Sequence, residues 1–180
     1  YTPWHLDLPA ATHELRTLVA IVDNRLDPVR TPLVAPHFDF YLYGGFYRSV
    51  QLHCFKHLHI ERTVIDATDI EGGEARVTLY LGGTAPRTVD LTCTIDPDSQ
   101  AASESRLSGL PVDDGKVSFR LKVPGHRLWS VETPALHVLH FRLLEGQTVV
   151  DDCRERIGFR RVDARDGQVR LNGKPLKLLG

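Results

Sequence analysis

The sequence contains no methionine and only three cysteines among its 180 residues. Cys54, Cys93 and Cys153 are far apart and form no C-x-x-C pair, which argues against a disulfide framework or a zinc site. We expect all three to be small buried apolar side chains. Because the chain starts at Tyr1, we also expect it to be a piece of a longer protein, whose N-terminal leader stays open.

An excess of one charge and long apolar runs are also missing. The 22 basic and 23 acidic side chains leave a net charge of −1, which gives no electrostatic reason to expect nucleic acid or an anionic membrane as a partner. No run of 18 apolar residues is present, which excludes a transmembrane helix. The hydrophobic share of 42% and the charged share of 25% are those of a globular domain.

Alternation of apolar and polar side chains with period two dominates the sequence. It covers residues 75–81, 89–95, 117–123 and 139–143 and predicts strands with one face in a core. Residues 18–22 read as a strongly apolar strand, and residues 50–60 as an extended stretch. Gly-Gly, Asp-Pro-Asp and Asp-Gly turn signals recur at intervals of about ten residues, which predicts a β-sandwich.

The strand spacing predicts a boundary near residues 56–62. The block after it has the length and strand count of an immunoglobulin-like sandwich. The block before it is too short to close a sandwich alone, so its strands should pair with segments that precede Tyr1. In the tail, Asn172-Gly173 between two apolar runs predicts a tight hairpin.

Five segments share the order and spacing of motifs in one enzyme family. They are residues 22–24 (V-D-N), 44–50 (G-G-F-Y-R-S-V), 128–134 (L-W-S-V-E-T-P), 156–160 (R-I-G-F-R) and 171–176 (L-N-G-K-P-L). Together they resemble glycoside hydrolase family two, the β-galactosidase and β-glucuronidase group. Ser49 replaces a common Asp, Val131 a usual Pro and His137 a common Tyr, and these departures blur the subfamily.

The resemblance implies an all-β chain in three parts. Residues 1–57 would be the C-terminal part of a galactose-binding-like jelly roll, which is the family's sugar-binding domain. Residues 58–162 would be the immunoglobulin-like β-sandwich, and residues 163–180 the lead-in to a (β/α)₈ barrel outside this chain. Both catalytic glutamates of the family lie in that barrel. The chain should therefore hold no catalytic residue, metal site or cofactor of its own, while its retaining parent enzyme could bind a monovalent or divalent cation.

Asp39 is the leading candidate for substrate binding, together with His37 and Phe38 beside it. The resemblance implies a loop that reaches into the sugar site, where the Asp39 carboxylate accepts hydrogen bonds from substrate hydroxyls. The residues support this independently, because a carboxylate flanked by aromatic rings suits sugar recognition. The alternative is an exposed loop carboxylate that only fixes a turn.

Arg48, Trp129 and Arg160 are predicted to be structural residues at domain interfaces. Trp129 could instead be a sugar platform, but a large amphipathic ring more often anchors domain packing. The two arginines could bind ligand anions, but pairing with carboxylates or carbonyls at domain interfaces is favoured.

Two other constellations carry less weight. His53, His57 and His59 share one side of an extended stretch, where a solvated face is favoured over a metal site. The carboxylate pairs Asp113/Asp114 and Asp151/Asp152, like Asp96 and Asp98, lie beside turns or at outward positions. An acid/base pair needs burial that separates its pKa values, so none is predicted to be catalytic.

These observations predict a non-catalytic portion of a β-glycosidase that acts on terminal β-linked sugars. Galactose is the first expectation, glucuronic acid the second and mannose the third. The expected partners are a β-linked saccharide and the protein's own barrel, within a parent that is a homo-oligomer. Location in the bacterial cytoplasm or periplasm is left open. The alternative is a free-standing carbohydrate-binding or interaction module.

Overall fold

The computed structural model describes residues 5–8, 15, 17–23 and 44–177. The chain divides into two compact units, Tyr1–His53 and Cys54–Gly180. The second unit carries all the strands of the described residues. The predicted division into parts at residues 57/58 and 162/163 stays a prediction.

The described residues of the first unit form neither strand nor helix. The strand predicted over residues 18–22 is therefore wrong, and Val19 and Ile21 are exposed there. An extended segment needs a neighbour to take its backbone hydrogen bonds, and no strand among the described residues pairs with this one. The stretch predicted over residues 50–60 likewise becomes a strand only at Leu58.

Ten strands follow one another in the second unit. Their bounds are β1 Leu58–Asp66, β2 Glu74–Gly83, β3 Thr88–Ile95, β4 Ser103–Pro111, β5 Lys116–Lys122, β6 His137–Glu145, β7 Thr148–Ile157, β8 Val162–Arg165, β9 Gln168–Leu171 and β10 Lys174–Pro175. The alternation predicted from sequence is confirmed: in β2, Ala75, Val77, Leu79 and Leu81 are buried while the residues between them are not.

Two antiparallel sheets form the sandwich, one in the order β1-β2-β5 and the other β4-β3-β6-β7. The all-β sandwich fold is confirmed. In constant-type immunoglobulin domains the fourth strand joins the sheet of the first, second and fifth strands, whereas here β4 pairs with β3. The edge strands β1 and β7 of the two sheets meet at one side of the sandwich, where the Ile60 amide donates to Asp151 Oδ2 at 2.8 Å.

The core lies between the two sheets and is made of aliphatic side chains around a few rings. Phe141 is fully buried and meets Phe119 edge to face, with ring centroids 6.0 Å apart. Cys93 is buried as predicted, and burial raises the pKa of its thiol to about 12. Cys153 is half-buried, and the prediction is wrong for Cys54, which is exposed because it precedes β1 rather than lying in a strand.

The tail forms a separate three-stranded sheet, in the order β10-β9-β8. The predicted Asn-Gly turn is confirmed: Asn172 and Gly173 have φ of 51° and 78°, the two positive values that a type I′ turn requires. Sequence reasoning missed β8, which pairs with β9 across a second turn of the same kind at Asp166-Gly167. This sheet is called the hairpin sheet below.

A partly buried polar network around His137 fixes the loop between β5 and β6. The Arg127 amide donates to His137 Nε2 at 3.1 Å, so the proton of this ring sits on Nδ1 and is donated to Asp96 Oδ2 at 2.7 Å. The Val138 amide donates to Asp96 Oδ1 at 2.8 Å. Burial by itself would raise the pKa of Asp96, but the hydrogen bonds from Val138 and His137 outweigh it and lower that pKa.

This network predicts an acid-dependent loss of stability. A carboxylate whose pKa is lower in the folded than in the unfolded chain stabilises the fold above the unfolded value, and that stability disappears as pH falls through the folded value. We expect Asp96→Asn to be less stable than wild type at pH 7, with a difference that shrinks below the ordinary pKa of 3.8. Asparagine tolerates the positive φ of this position.

Urea unfolding from pH 7 to pH 3 measures this effect. Asp98→Asn is the control, because Asp98 meets Arg154 in an exposed pair at 3.2 Å, and such pairs contribute little. A stability difference between Asp96→Asn and wild type that does not change with pH would contradict the role given to the ionised carboxylate.

Candidate functional site

The predicted site residues separate into two groups. Asp39, His37 and Phe38 lie outside the described residues. Arg48 is exposed at a bend in the first unit. Trp129 and Arg160, in contrast, meet: the Arg160 guanidinium lies 4.9 Å from the centroid of the Trp129 ring, which is within cation–π range.

Trp129 and Arg160 belong to a junction formed by the segment that follows β7 and by the loop before β6. The Trp129 amide donates to the Phe159 carbonyl at 2.9 Å, and the Arg160 amide to the Ala67 carbonyl at 3.3 Å. Leu128 pairs with Phe159 in a parallel bridge. We call the residues Trp129, Gly158, Phe159, Arg160 and Asn172 the junction.

Phe159 holds the junction to the sandwich. Its side chain is fully buried and lies against two imidazoles. The centroid of the Phe159 ring is 4.9 Å from that of His126 and 6.1 Å from that of His137. His137 is the histidine that Asp96 orients. The hydrogen bond from Arg127 to His137 and the contact of the Phe159 ring with His126 therefore fix the same segment, residues 126–127. Trp129 lies two residues after this segment.

Gly158 makes the close approach possible. A β-carbon at this position would lie 3.1–3.2 Å from the Cβ, Cδ1 and Cγ atoms of Trp129, closer than ordinary van der Waals contact. Gly158 lies in the R-I-G-F-R segment, but sequence reasoning missed this role because Trp129, the residue it contacts, is 29 positions away in the chain.

Asn172 joins the hairpin sheet to the junction, and sequence reasoning saw it only as a turn residue. Its Nδ2 donates to the Trp129 carbonyl at 2.9 Å, and its Oδ1 accepts from the Arg161 amide at 2.8 Å. The Asn172 amide in turn donates to the Arg161 carbonyl at 2.8 Å. The Asn-Gly pattern and the L-N-G-K-P-L segment marked this position in the sequence, but neither indicates a contact with Trp129.

A groove beside the junction carries two guanidinium groups. Its lining includes Ile65, Thr68, Leu136, Arg156 and Arg160. Guanidinium groups bind carboxylates in two-pronged pairs, and the exposed Leu128 and Val131 lie in the segment that forms the junction. The surface thus combines aromatic, aliphatic and cationic groups, a mixture typical of protein interfaces.

The carboxylate pairs weighed as catalytic groups have structural contacts. Asp151 accepts from the Ile60 amide. Asp152 Oδ2 lies 2.7 Å from Nε2 of the buried His140. Asp114 pairs with Lys116 in the β4–β5 turn at 3.3 Å. These contacts hold strands and turns.

The three histidines of residues 53–59 have other neighbours. The His59 ring stacks on Phe55 at 4.1 Å. His57 Nε2 lies 3.2 Å from Glu145 Oε1. Across residues 5–8, 15, 17–23 and 44–177, no three His, Cys, Asp or Glu side chains are placed to share a metal ion. A helix able to span a membrane is likewise not found in these ranges.

The junction predicts the effect of one added methyl group. The φ of Gly158 lies outside the left-handed region, so alanine should by itself be neutral or slightly stabilising. The contact with Trp129 reverses this: we expect Gly158→Ala to lower the free energy of unfolding by about 1–3 kcal/mol. In a Trp4→Phe background, the emission of Trp129 should shift as its ring is displaced. Wild-type emission together with a wild-type unfolding midpoint would show that the contact is not tight.

Comparison with known proteins places the chain in a family. The family model described as "Glycosyl hydrolases family 2" matches residues 58–160. A Formosa agariphila protein assigned as a β-glucuronidase is 28% identical over 166 residues, covering 91% of this chain and 20% of that protein. A β-galactosidase of Thermoanaerobacter pseudethanolicus is 23% identical over 185 residues, covering all of this chain and 25% of that protein.

A solved structure shows the same likeness. The β-glucuronidase of Parabacteroides merdae superposes with a TM-score of 0.66 at 25% identity, covering 88% of this chain and 20% of that one. The chain thus spans about a fifth to a quarter of the length of the curated relatives it matches. Because the family model covers more than half of the chain, the chain belongs to glycosyl hydrolases family 2.

Proposed function

We propose that this chain is a non-catalytic portion of a retaining β-glycosidase that hydrolyses terminal β-linked sugars. The observation that carries the proposal is the family match over residues 58–160, a region in which Asp96, Asp151 and Asp152 bond to strands or to a histidine of a strand. The chain's share of its relatives' length leaves room elsewhere in the protein for a catalytic domain.

The sandwich acts in this proposal as a spacer between the sugar-binding part and the barrel. A retaining enzyme needs two carboxyl groups about 5–5.5 Å apart, one as nucleophile and one as acid/base. These groups are supplied by the barrel. The present chain contributes substrate contacts through Asp39, with His37 and Phe38 beside it, and a rigid surface at Trp129 and Arg160 against which the barrel packs.

The first substrate we propose is a β-galactoside. Relatives named β-galactosidase support it, while the assigned β-glucuronidase of Formosa agariphila and the Parabacteroides merdae enzyme support a β-glucuronide as the second. Asp39 fits the first better, because a carboxylate accepts hydrogen bonds from neutral sugar hydroxyls but repels the carboxylate of a glucuronide.

The assignment of the chemistry to another domain predicts an inactive chain. Purified residues 1–180 should release no chromophore from nitrophenyl β-galactoside or β-glucuronide, whereas the full-length protein should turn over one of them, with the galactoside preferred. Turnover by the pure chain would refute the assignment. Saccharide binding by the chain, combined with an inactive full-length protein, would favour a free-standing carbohydrate-binding module.

The role of Asp39 predicts a kinetic defect without a stability defect. In the full-length protein, Asp39→Asn should lower kcat/KM about 10- to 100-fold, because a hydrogen bond to a charged group contributes about 1.5–3 kcal/mol. The unfolding midpoint should not change. Asp7→Asn is the matched control, since Asp7 is an exposed carboxylate of the same unit. Wild-type kinetics for Asp39→Asn would remove this residue from the sugar site.

A further inference from the structure

The hairpin sheet packs little against the sandwich strands. Its strands contact one another, and no described strand pair between β8–β10 and β1–β7 forms an extensive contact. Leu171 is buried but stands apart from the main core cluster. What holds this sheet in place must therefore lie mainly in the connecting residues.

Asn172 supplies that connection through both ends of its amide. Nδ2 reaches the Trp129 carbonyl at 2.9 Å, 43 positions away, and Oδ1 reaches the Arg161 amide at 2.8 Å. With the main-chain bond from the Asn172 amide to the Arg161 carbonyl, three hydrogen bonds converge on one residue. A half-buried carbonyl that loses its donor is costly, so the bond to Trp129 is not readily replaced.

Neighbouring contacts give this connection a fixed base. The Trp129 amide is bonded to Phe159, whose ring lies in the core. Arg161, the other partner of Asn172, directly follows Arg160, whose amide donates to the Ala67 carbonyl of the sandwich at 3.3 Å. The pair of Arg161 Nη2 with Glu71 Oε1, at 2.7 Å, is exposed and adds little. Asn172 thus bonds to two backbone positions that the sandwich itself holds.

We propose that Asn172 is a positioning residue whose side chain locks the hairpin sheet to Trp129, so that the sandwich and the segment leaving at Pro175 move as one rigid body. The proposal goes beyond a turn preference, because an Asn-Gly turn needs only the backbone conformation. Its consequence for catalysis rests on the proposed function: the sandwich would then set the direction in which the chain continues toward the barrel.

Two substitutions separate the lock from the turn. Asn172→Gly keeps the positive φ at low cost but loses both side-chain bonds. Asn172→Asp keeps the tolerance of positive φ and the acceptor for the Arg161 amide, but it places a carboxylate oxygen against the Trp129 carbonyl. If only the turn matters, both variants behave as wild type; if the bond to Trp129 matters, both loosen the sheet.

Asp166→Gly is the matched control. Asp166 occupies the other turn of the same sheet with φ of 54° and contacts Arg170 within that sheet at 3.6 Å. The substitution makes the same change of residue class in a turn of the same kind, without touching the junction.

Residual dipolar couplings of the backbone amides of residues 1–180 test the lock directly. In wild type and Asp166→Gly, the couplings of β8–β10 and of β1–β7 should fit one alignment tensor. In Asn172→Gly and Asn172→Asp, the alignment magnitude of β8–β10 should fall at least twofold below that of the sandwich, whose own couplings stay unchanged. A single common tensor in Asn172→Asp, or two tensors in wild type, would overturn the proposal.

Kinetics of the full-length protein test the consequence for catalysis. Asn172→Asp should lower kcat/KM several-fold at a temperature where circular dichroism shows the variant to be fully folded, and Asp166→Gly should not. A reduced alignment magnitude of β8–β10 in Asn172→Asp, combined with wild-type kinetics, would overturn the link between the Asn172 contact and the barrel. An inactive wild-type protein would instead overturn the proposed function, and the couplings would still decide whether Asn172 is a lock.

Discussion

The architecture depends on the residues that directly follow β7, above all on Phe159. Phe159 buries its ring in the core while its carbonyl accepts the Trp129 amide, so one residue belongs to the packing of the sandwich and to the junction at once. Without this double attachment, the loop that carries Trp129 would lose its main-chain bond to a residue of the core. With it, the loop before β6, the end of β7 and the start of the hairpin sheet share one set of contacts.

Hydrogen bonds of Asp96 and His137 hold the loop that leads to Trp129. The Asp96 carboxylate accepts from His137, and His137 accepts from the Arg127 amide, two residues before Trp129. A buried polar chain of this kind is stable only when each member is satisfied. The carboxylates Asp96, Asp151 and Asp152 each bond to a strand or to a histidine of a strand.

The strands and turns of the sandwich could be predicted from local pattern, because alternating burial in β2 or the φ of Asn172 follows from residues next to one another. The strand predicted over residues 18–22 failed for a related reason: apolar composition is local, but a strand forms only where a partner exists. The pairing of β4 with β3, the contact of Gly158 with Trp129 and the bond from Asn172 to Trp129 link distant positions, and no periodicity reveals them. Arg160 and Trp129 were assigned to domain interfaces from the packing of a large amphipathic ring and the pairing of guanidinium groups, and the structure brings the two side chains together. Their interface role remains a prediction, as do the roles of Arg48, Asp39, His37 and Phe38.

Native-state hydrogen exchange of the Trp129 amide, compared with that of Phe141 in the core, tests the central claim most directly. If the junction is part of the sandwich's cooperative unit, the Trp129 amide should exchange only through global unfolding, with the same opening free energy as Phe141. Exchange of Trp129 through low-energy local fraying, while Phe141 stays protected, would contradict the account.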